Sequence, residues 1–334
     1  MILIRADANK EIGSGHIMRC LTLASAFIEK GEKVLFITAD HRADSVINSR
    51  GFKSVCLDTN WKKMEAEIPK LITVINENNP VFLLVDSYYA SAGYFMKLRG
   101  MVKTVYFDDL NDSLRDVNIL INYNIYATSL DYSNYIKKNT KMLLGPSFAP
   151  LRDEFRNLDR FPIKNIVTDI LISSGGSDPH NVSEKIISCI CSKFKNIRFH
   201  VLVGSLNNRL DYLKSLETDN VVLHVDEKNM CNLIHQCDIA ISAAGVTLYE
   251  LCACGIPTIT YTLADNQLLG AQEFCKQGLM IYVGDSRDKY NFIVPLEIEL
   301  SRLISDKNLR QGMSFRMQEV VDGDGANRIV NVCL

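Results

Sequence analysis

The stretch "MILIRADANKEIGSGHIMRC", Met1 to Cys20, opens on a short apolar run, turns through the glycines of "GSGH" (13 to 16) and continues into residues of helical period. Strand, glycine turn, helix is the repeating unit of an α/β fold. The unit recurs outward along the chain. Candidate strands are "MILIR" (1 to 5), "KVLFIT" (33 to 38), "KSVCL" (53 to 57), "VFLLVD" (81 to 86), "KTVYFD" (103 to 108) and "NILINY" (118 to 123), most of them separated by helix-like segments. Short continuous apolar runs of this kind suit strands buried on both faces of a parallel sheet.

The rhythm stops at Gly145 to Asn165, "GPSFAPLRDEFRNLDRFPIKN", where three prolines and a run of charges interrupt it. It restarts with "DILISSGG" (169 to 176), "RFHVLVG" (198 to 204), "NVVLHV" (220 to 225), "DIAISAAG" (238 to 245) and "PTITY" (257 to 261), and the tail "DGDGANRIVNVCL" reads as a turn and a last helix. The expectation is two doubly wound, Rossmann-like α/β domains, residues 1–160 and 161–334, with ligands bound in the cleft at the carboxyl ends of the strands. A length of 334 residues suits two cores.

Bulk properties narrow the function. With 37 basic and 39 acidic residues the formal net charge is −2, which gives no reason to expect nucleic acid as a partner. No stretch approaches the roughly 20 apolar residues of a membrane span, and the N-terminus lacks the apolar run of a signal peptide, so membrane insertion is not expected and a cytoplasmic location is. The ten cysteines include the pairs Cys189/Cys191 and Cys252/Cys254 but no CxxC. That spacing suits reduced core thiols, so no structural metal is expected.

Three glycine turns follow predicted strands and open predicted helices: "GSGH" at 13 to 16, "SSGGSDPHN" at 173 to 181 and "SAAGVTLYE" at 242 to 250. Singly, each reads as an ordinary tight turn. Together, at strand ends in both halves, they suit an anion such as a diphosphate, held by backbone N–H groups and the helix dipole. No GxxxxGK[ST] or GxGxxG occurs, which disfavours an ATPase or a dehydrogenase. Glu250, five residues after Gly245, either accepts from ribose hydroxyls or is a first-turn glutamate favoured by the dipole.

Taken together, "RADANKEIGSGHIMRCLTLA", "LLVDSYY", "FDDL", "LLGPSFAPLRDEF", "ISSGGSDPHN" and "ISAAGVTLYELCACGIPTITYTLADNQ" resemble the UDP-sugar hydrolase family of pseudaminic acid biosynthesis, in the same order from residue 1 to about 280. That family is related to the GT-B glycosyltransferase that adds N-acetylglucosamine in peptidoglycan lipid synthesis, so the resemblance implies a GT-B-like fold of two facing Rossmann-like domains. It further implies hydrolysis of UDP-2,4-diacetamido-2,4,6-trideoxy-β-L-altropyranose. Water attacks the anomeric carbon with inversion and UDP leaves, without metal ion or cofactor, and the free sugar supplies a nonulosonic acid for flagellin or surface glycans.

The resemblance makes His16 the catalytic histidine, in line with the ability of an imidazole to hold and deprotonate water near neutrality. Without it, His16 would be an N-cap neighbour. Gly13 and Gly15 sit on the substrate side. Arg19, three residues on, shares the His16 helix face; it lies either near the phosphates or in a surface or interdomain salt bridge. Asp7 orients His16, binds a sugar hydroxyl or caps its loop. Tyr88 matches a family position bordering the sugar, and Asn266 and Gln267 either fix acetamido or phosphate groups or cap the next helix.

UDP falls to Gly175, Gly176 and Ser177 with Asp178, and to Ser242, Ala244, Gly245, Val246 and Glu250. The adjacent Asp108 and Asp109 point to opposite strand faces and orient sugar or loop without forming a glycosidase pair. Two alternatives stand beside the hydrolase: a GT-B transferase that passes the sugar to an acceptor, and a non-catalytic nucleotide-sugar binding protein.

Overall fold

The computed structural model describes residues 1–9, 11–136, 138–160, 162–204, 207–288 and 291–334. Phe161, the first residue of the expected second domain, lies outside them. The chain forms two compact units, Met1–Leu151 with Asp324–Leu334, and Arg152–Gly323.

The first unit is built on β1 (Ile2–Ala6), β2 (Val34–Thr38), β3 (Lys53–Cys56), β4 (Phe82–Asp86), β5 (Thr104–Phe107), β6 (Ile119–Asn122) and β7 (Lys141–Leu144). They pair in parallel in the order β3-β2-β1-β4-β5-β6-β7. The central strands β1 and β4 are buried along their whole length, as their apolar runs require once helices cover both faces. One buried cation interrupts β1. Arg5 donates to both oxygens of Glu67 at 2.8 Å and to Asp7 at 2.6 Å, so its charge is paired inside the core.

From β1 the chain moves outward to β2 and β3, then returns to β4 on the other side of β1. The point between β1 and β4 is therefore the switch point of the sheet, where the following loops part and leave a crevice at the carboxyl edge.

The second unit repeats the plan with β8 (Asp169–Ser173), β9 (Arg198–Val203), β10 (Val221–Val225), β11 (Ile239–Ala243), β12 (Thr258–Thr262) and β13 (Met280–Asp285). The order is β10-β9-β8-β11-β12-β13, again all parallel, with its switch point between β8 and β11.

Two strands and one boundary differ from the sequence reading. The edge strands β7 and β13 are additions to the expected set; each is only partly buried. The last helix, Gly325–Cys333, belongs to the first unit, and the units divide after Leu151 and not after residue 160. Ala326, Ile329, Val330 and Cys333 form a buried stripe on that helix, which packs against the helix Gly15–Glu29. Gly325 lets the chain enter, because a Cβ there would lie 2.2 Å from the Ala149 carbonyl oxygen.

Candidate functional site

The glycine turn after β1 delivers His16 into the first turn of the helix Gly15–Glu29. Gly13, at φ +72°, takes the left-handed conformation that closes this turn. Ser14 makes no side-chain cap and no acidic residue occupies the first turn, so the positive end of the helix is left for other groups. Beside it, across the switch point, β4 ends in Asp86.

His16 Nδ1 lies 2.5 Å from Asp86 Oδ1, and both side chains are buried. Burial alone would raise the Asp86 pKa, but the charges and hydrogen bonds of Arg19 and His16 overcome it and hold the carboxyl well below the usual range. Asp86 is therefore an anion and can only accept. Nδ1 must carry the proton of that bond, which leaves Nε2 of the neutral ring as the basic nitrogen. Among the described residues no protein hydrogen bond occupies Nε2. Tyr88 stands edge-on to the ring, centroids 4.5 Å apart, and is 38% exposed.

Arg19 is committed inside the first unit. Nε and Nη2 donate to the two Asp86 oxygens at 2.6 Å each, Nη1 and Nη2 to the two Asp109 oxygens at 3.0 and 2.8 Å, and Nη1 to Tyr123 at 3.3 Å. Those bonds engage all five guanidinium hydrogens, and the group stacks 4.3 Å over Phe107. Of the readings open for Arg19, the phosphate contact and the surface or interdomain pair both give way to a buried ion cluster within one sheet. Its work is to fix Asp86.

Asp7 does not orient His16. Oδ2 accepts from Arg5 at 2.6 Å and Oδ1 from the Ala39 amide at 2.8 Å, which ties the end of β1 to the end of β2. Asp108 holds its own turn, accepting from Asn111 N at 2.9 Å, and burial raises its pKa against that amide. The two adjacent carboxylates thus diverge as expected, with Asp109 on Arg19 and Asp108 on the turn. The orienting carboxylate missed by sequence reasoning is Asp86, 70 residues from His16; its signal was a charged residue closing an otherwise apolar strand.

In the second unit both predicted loops flank the switch point. Gly175, Gly176 and Ser177 follow β8 and are exposed; Gly175 and Gly176 have no atom within 4 Å of where a Cβ would stand. Behind them Gly204 is indispensable as glycine, since a Cβ there would meet Gly176 O at 2.5 Å. Asp178 is occupied in capping the helix Val182–Cys189, accepting from Val182 N at 2.7 Å and Ser183 N at 2.9 Å.

After β11, Gly245 and Val246 are exposed at the entrance to the helix Thr247–Cys254, with Ala244 half-buried before them. Ser242 is buried, its hydroxyl donating to Ala243 O at 3.1 Å, so it supports this loop from within. Glu250 is in the first helical turn. One of its oxygens accepts from Arg152 Nη2 at 2.9 Å, and burial raises its pKa against the pull of Arg152. No hydrogen bond to its other oxygen occurs among the described residues. Gln267 Oε1 accepts from Leu263 N at 2.7 Å, a local loop-closing role, whereas Asn266 is exposed.

No protein-family model matches the chain. It is 27% identical, over 80% of its length, to the uncharacterized protein MJ1062 of Methanocaldococcus jannaschii, of whose length it spans 56%. It is 25% identical, over 98% of its length and 96% of the relative's, to the spore coat polysaccharide biosynthesis protein SpsG of Bacillus subtilis. Over 75% of its length and 86% of the relative's, it is 28% identical to the UDP-2,4-diacetamido-2,4,6-trideoxy-beta-L-altropyranose hydrolase of Campylobacter jejuni, so the resemblance seen in the motifs extends along both halves. The crystal structure of Acinetobacter baumannii MurG covers 99% of this chain and 98% of its own at a TM-score of 0.74 and 11% identity, in accord with the GT-B-like fold.

Proposed function

We propose that the chain is a UDP-sugar hydrolase in which His16 is the general base. The observation that carries this reading is the buried His16–Asp86 contact at the switch point, with Nδ1 bound and Nε2 unoccupied by protein. A water on Nε2 attacks the anomeric carbon, its proton passes to Nε2, and the bond to UDP breaks with the electrons leaving on the β-phosphate oxygen. Attack opposite the leaving group inverts the carbon. Asp86 stays ionised throughout and faces the imidazolium that forms, as an orienting carboxylate does in other histidine-based sites.

Charge builds on the departing UDP, so donors aimed at it lower the barrier without an acid. The exposed backbone of Gly175, Gly176 and Ser177, and of Gly245 and Val246, supplies them in this reading, with Glu250 on the ribose and Ser242 and Ala244 shaping the loop. Tyr88 borders the sugar, and Gly13 and Gly15 give the substrate access to the helix end. Asn266 contributes an amide to the acetamido or phosphate groups, and Gln267 keeps the loop after β12 in place. The likeness to the Campylobacter hydrolase supports UDP-2,4-diacetamido-2,4,6-trideoxy-β-L-altropyranose as the substrate.

The test is proton and phosphorus NMR of this UDP-sugar with the purified chain and no added divalent cation. Release of UDP and free sugar, first formed as the inverted anomer, is expected, with loss of turnover in His16→Ala. UDP binding without turnover would overturn the hydrolase in favour of a transferase or a binding protein.

A further inference from the structure

Three side chains that no step above uses meet in the second unit. Cys231 and His235 lie one turn apart on the helix Met230–Gln236, which precedes β11, and Cys254 ends the helix Thr247–Cys254, which follows it. Their ligating atoms lie within 4.8 Å of one another, and Cys231 Sγ is 3.3 Å from His235 Nδ1. Cys231 and Cys254 are buried, and His235 is half-buried.

We propose that Cys231, His235 and Cys254 form a zinc site that clamps the two helices flanking β11. The donor set is two thiolates and an imidazole, the set that selects zinc among common divalent ions. Zn–S bonds of about 2.3 Å and Zn–N bonds of about 2.0 Å put tetrahedral ligand atoms roughly 3.5–3.8 Å apart. The three atoms therefore need to close by no more than about 1 Å. On binding, two thiol protons go to solvent, the imidazole gives up its 2.8 Å Nδ1–H bond to the Cys231 carbonyl, its proton passing through solvent to Nε2 so that Nδ1 offers a lone pair, and zinc loses waters in exchange. The fourth position falls to water or to Glu154, whose Oε2 accepts from the Cys231 amide at 3.2 Å beside the cluster.

Cys237 and Cys252, buried in the same unit, belong to no such cluster among the described residues. Burial pushes Cys237 and Cys252 up, as expected of thiols packed as small apolar groups. The clamp would hold the helix that carries Glu250 to the preceding one, and so stiffen the loop Ala244–Val246. It is independent of the hydrolase reading.

Cobalt(II) titration of the full, reduced chain tests it, after all ten thiols have been counted as free in denaturant. The expected result is one equivalent bound with thiolate charge-transfer and tetrahedral d–d bands, displaced by zinc, and a melting temperature that rises with zinc until saturation. Cys231→Ser and Cys254→Ser should each abolish the bands, and Cys189→Ser and Cys275→Ser, at exposed positions elsewhere, should leave them intact. If a variant fails to fold, competition between the native chain and a chromophoric chelator supplies the stoichiometry. Fewer than ten free thiols through a Cys231–Cys254 disulfide, uptake without thiolate bands, or bands that survive both substitutions would overturn the proposal.

Discussion

At the scale of the residue, the site is a short chain of dependence: Arg19 and Asp109 fix Asp86, and Asp86 fixes His16. Asp86→Asn should lower kcat by about a hundred- to ten-thousandfold with KM little changed, the range of a lost general base, since the amide can present the wrong partner to Nδ1. Arg19→Met should cost about 3–5 kcal/mol in denaturant unfolding, because it takes the guanidinium away from buried Asp86 and half-buried Asp109. Acid should act through the same group. The folded-state pKa of Asp86 is depressed, so its contribution is complete above the unfolded value of about 3.9 and is lost as pH falls below it. Glu250 and Asp108, both raised by burial, act in the opposite sense and favour the folded state as they protonate. Urea midpoints from pH 7 downward should fall more steeply for the native chain than for Asp86→Asn. His16 was singled out through the family resemblance of its glycine-flanked motif; Asp86 was not, because the contact is tertiary and a single aspartate at a strand end has no spacing to announce it.

Elements explain why the loops stand where they do. The inner strands were readable because both faces are covered and their residues are apolar without alternation. The edges β7 and β13 were not singled out: β7 carries only three apolar residues, Met142–Leu144, after Lys141, and β13, apolar over Met280–Val283, runs on into Gly284 and Asp285 at the sheet edge. The close approach of β9 to the glycine loop was equally invisible in one dimension. Gly204→Ala drives a Cβ into Gly176 O at 2.5 Å, so the loop carrying Gly175 and Ser177 must move. A loss of about 1–3 kcal/mol in stability is expected from such overpacking. Isothermal titration with UDP should show weaker binding for this variant, with turnover at saturating substrate less affected.

For the whole molecule, the division into units does not follow chain order. The last eleven residues, 324–334, complete the first unit, and nothing in their local pattern says which core they serve. The buried stripe of Ile329 and Val330 was readable as a helix face, whereas its partner, the helix that carries His16, was not. Ile329→Ala should cost about 2–5 kcal/mol as a large-to-small core change. Hydrogen exchange should show the loss in the first unit, around residues 15–29, and leave the second unit protected. Two doubly wound parallel sheets, with their loops at the carboxyl ends of the strands, were legible in the strand rhythm, whereas the strand order that places each switch point was not.

The central claim is that water bound at His16 attacks the anomeric carbon of a UDP-sugar. Turnover of UDP-2,4-diacetamido-2,4,6-trideoxy-β-L-altropyranose in heavy-oxygen water, with both products weighed by mass spectrometry, tests it most directly. The account predicts the label in the sugar alone and no turnover in His16→Ala. Label in the UDP would place the attack at phosphorus and contradict it, as would unchanged turnover by the variant.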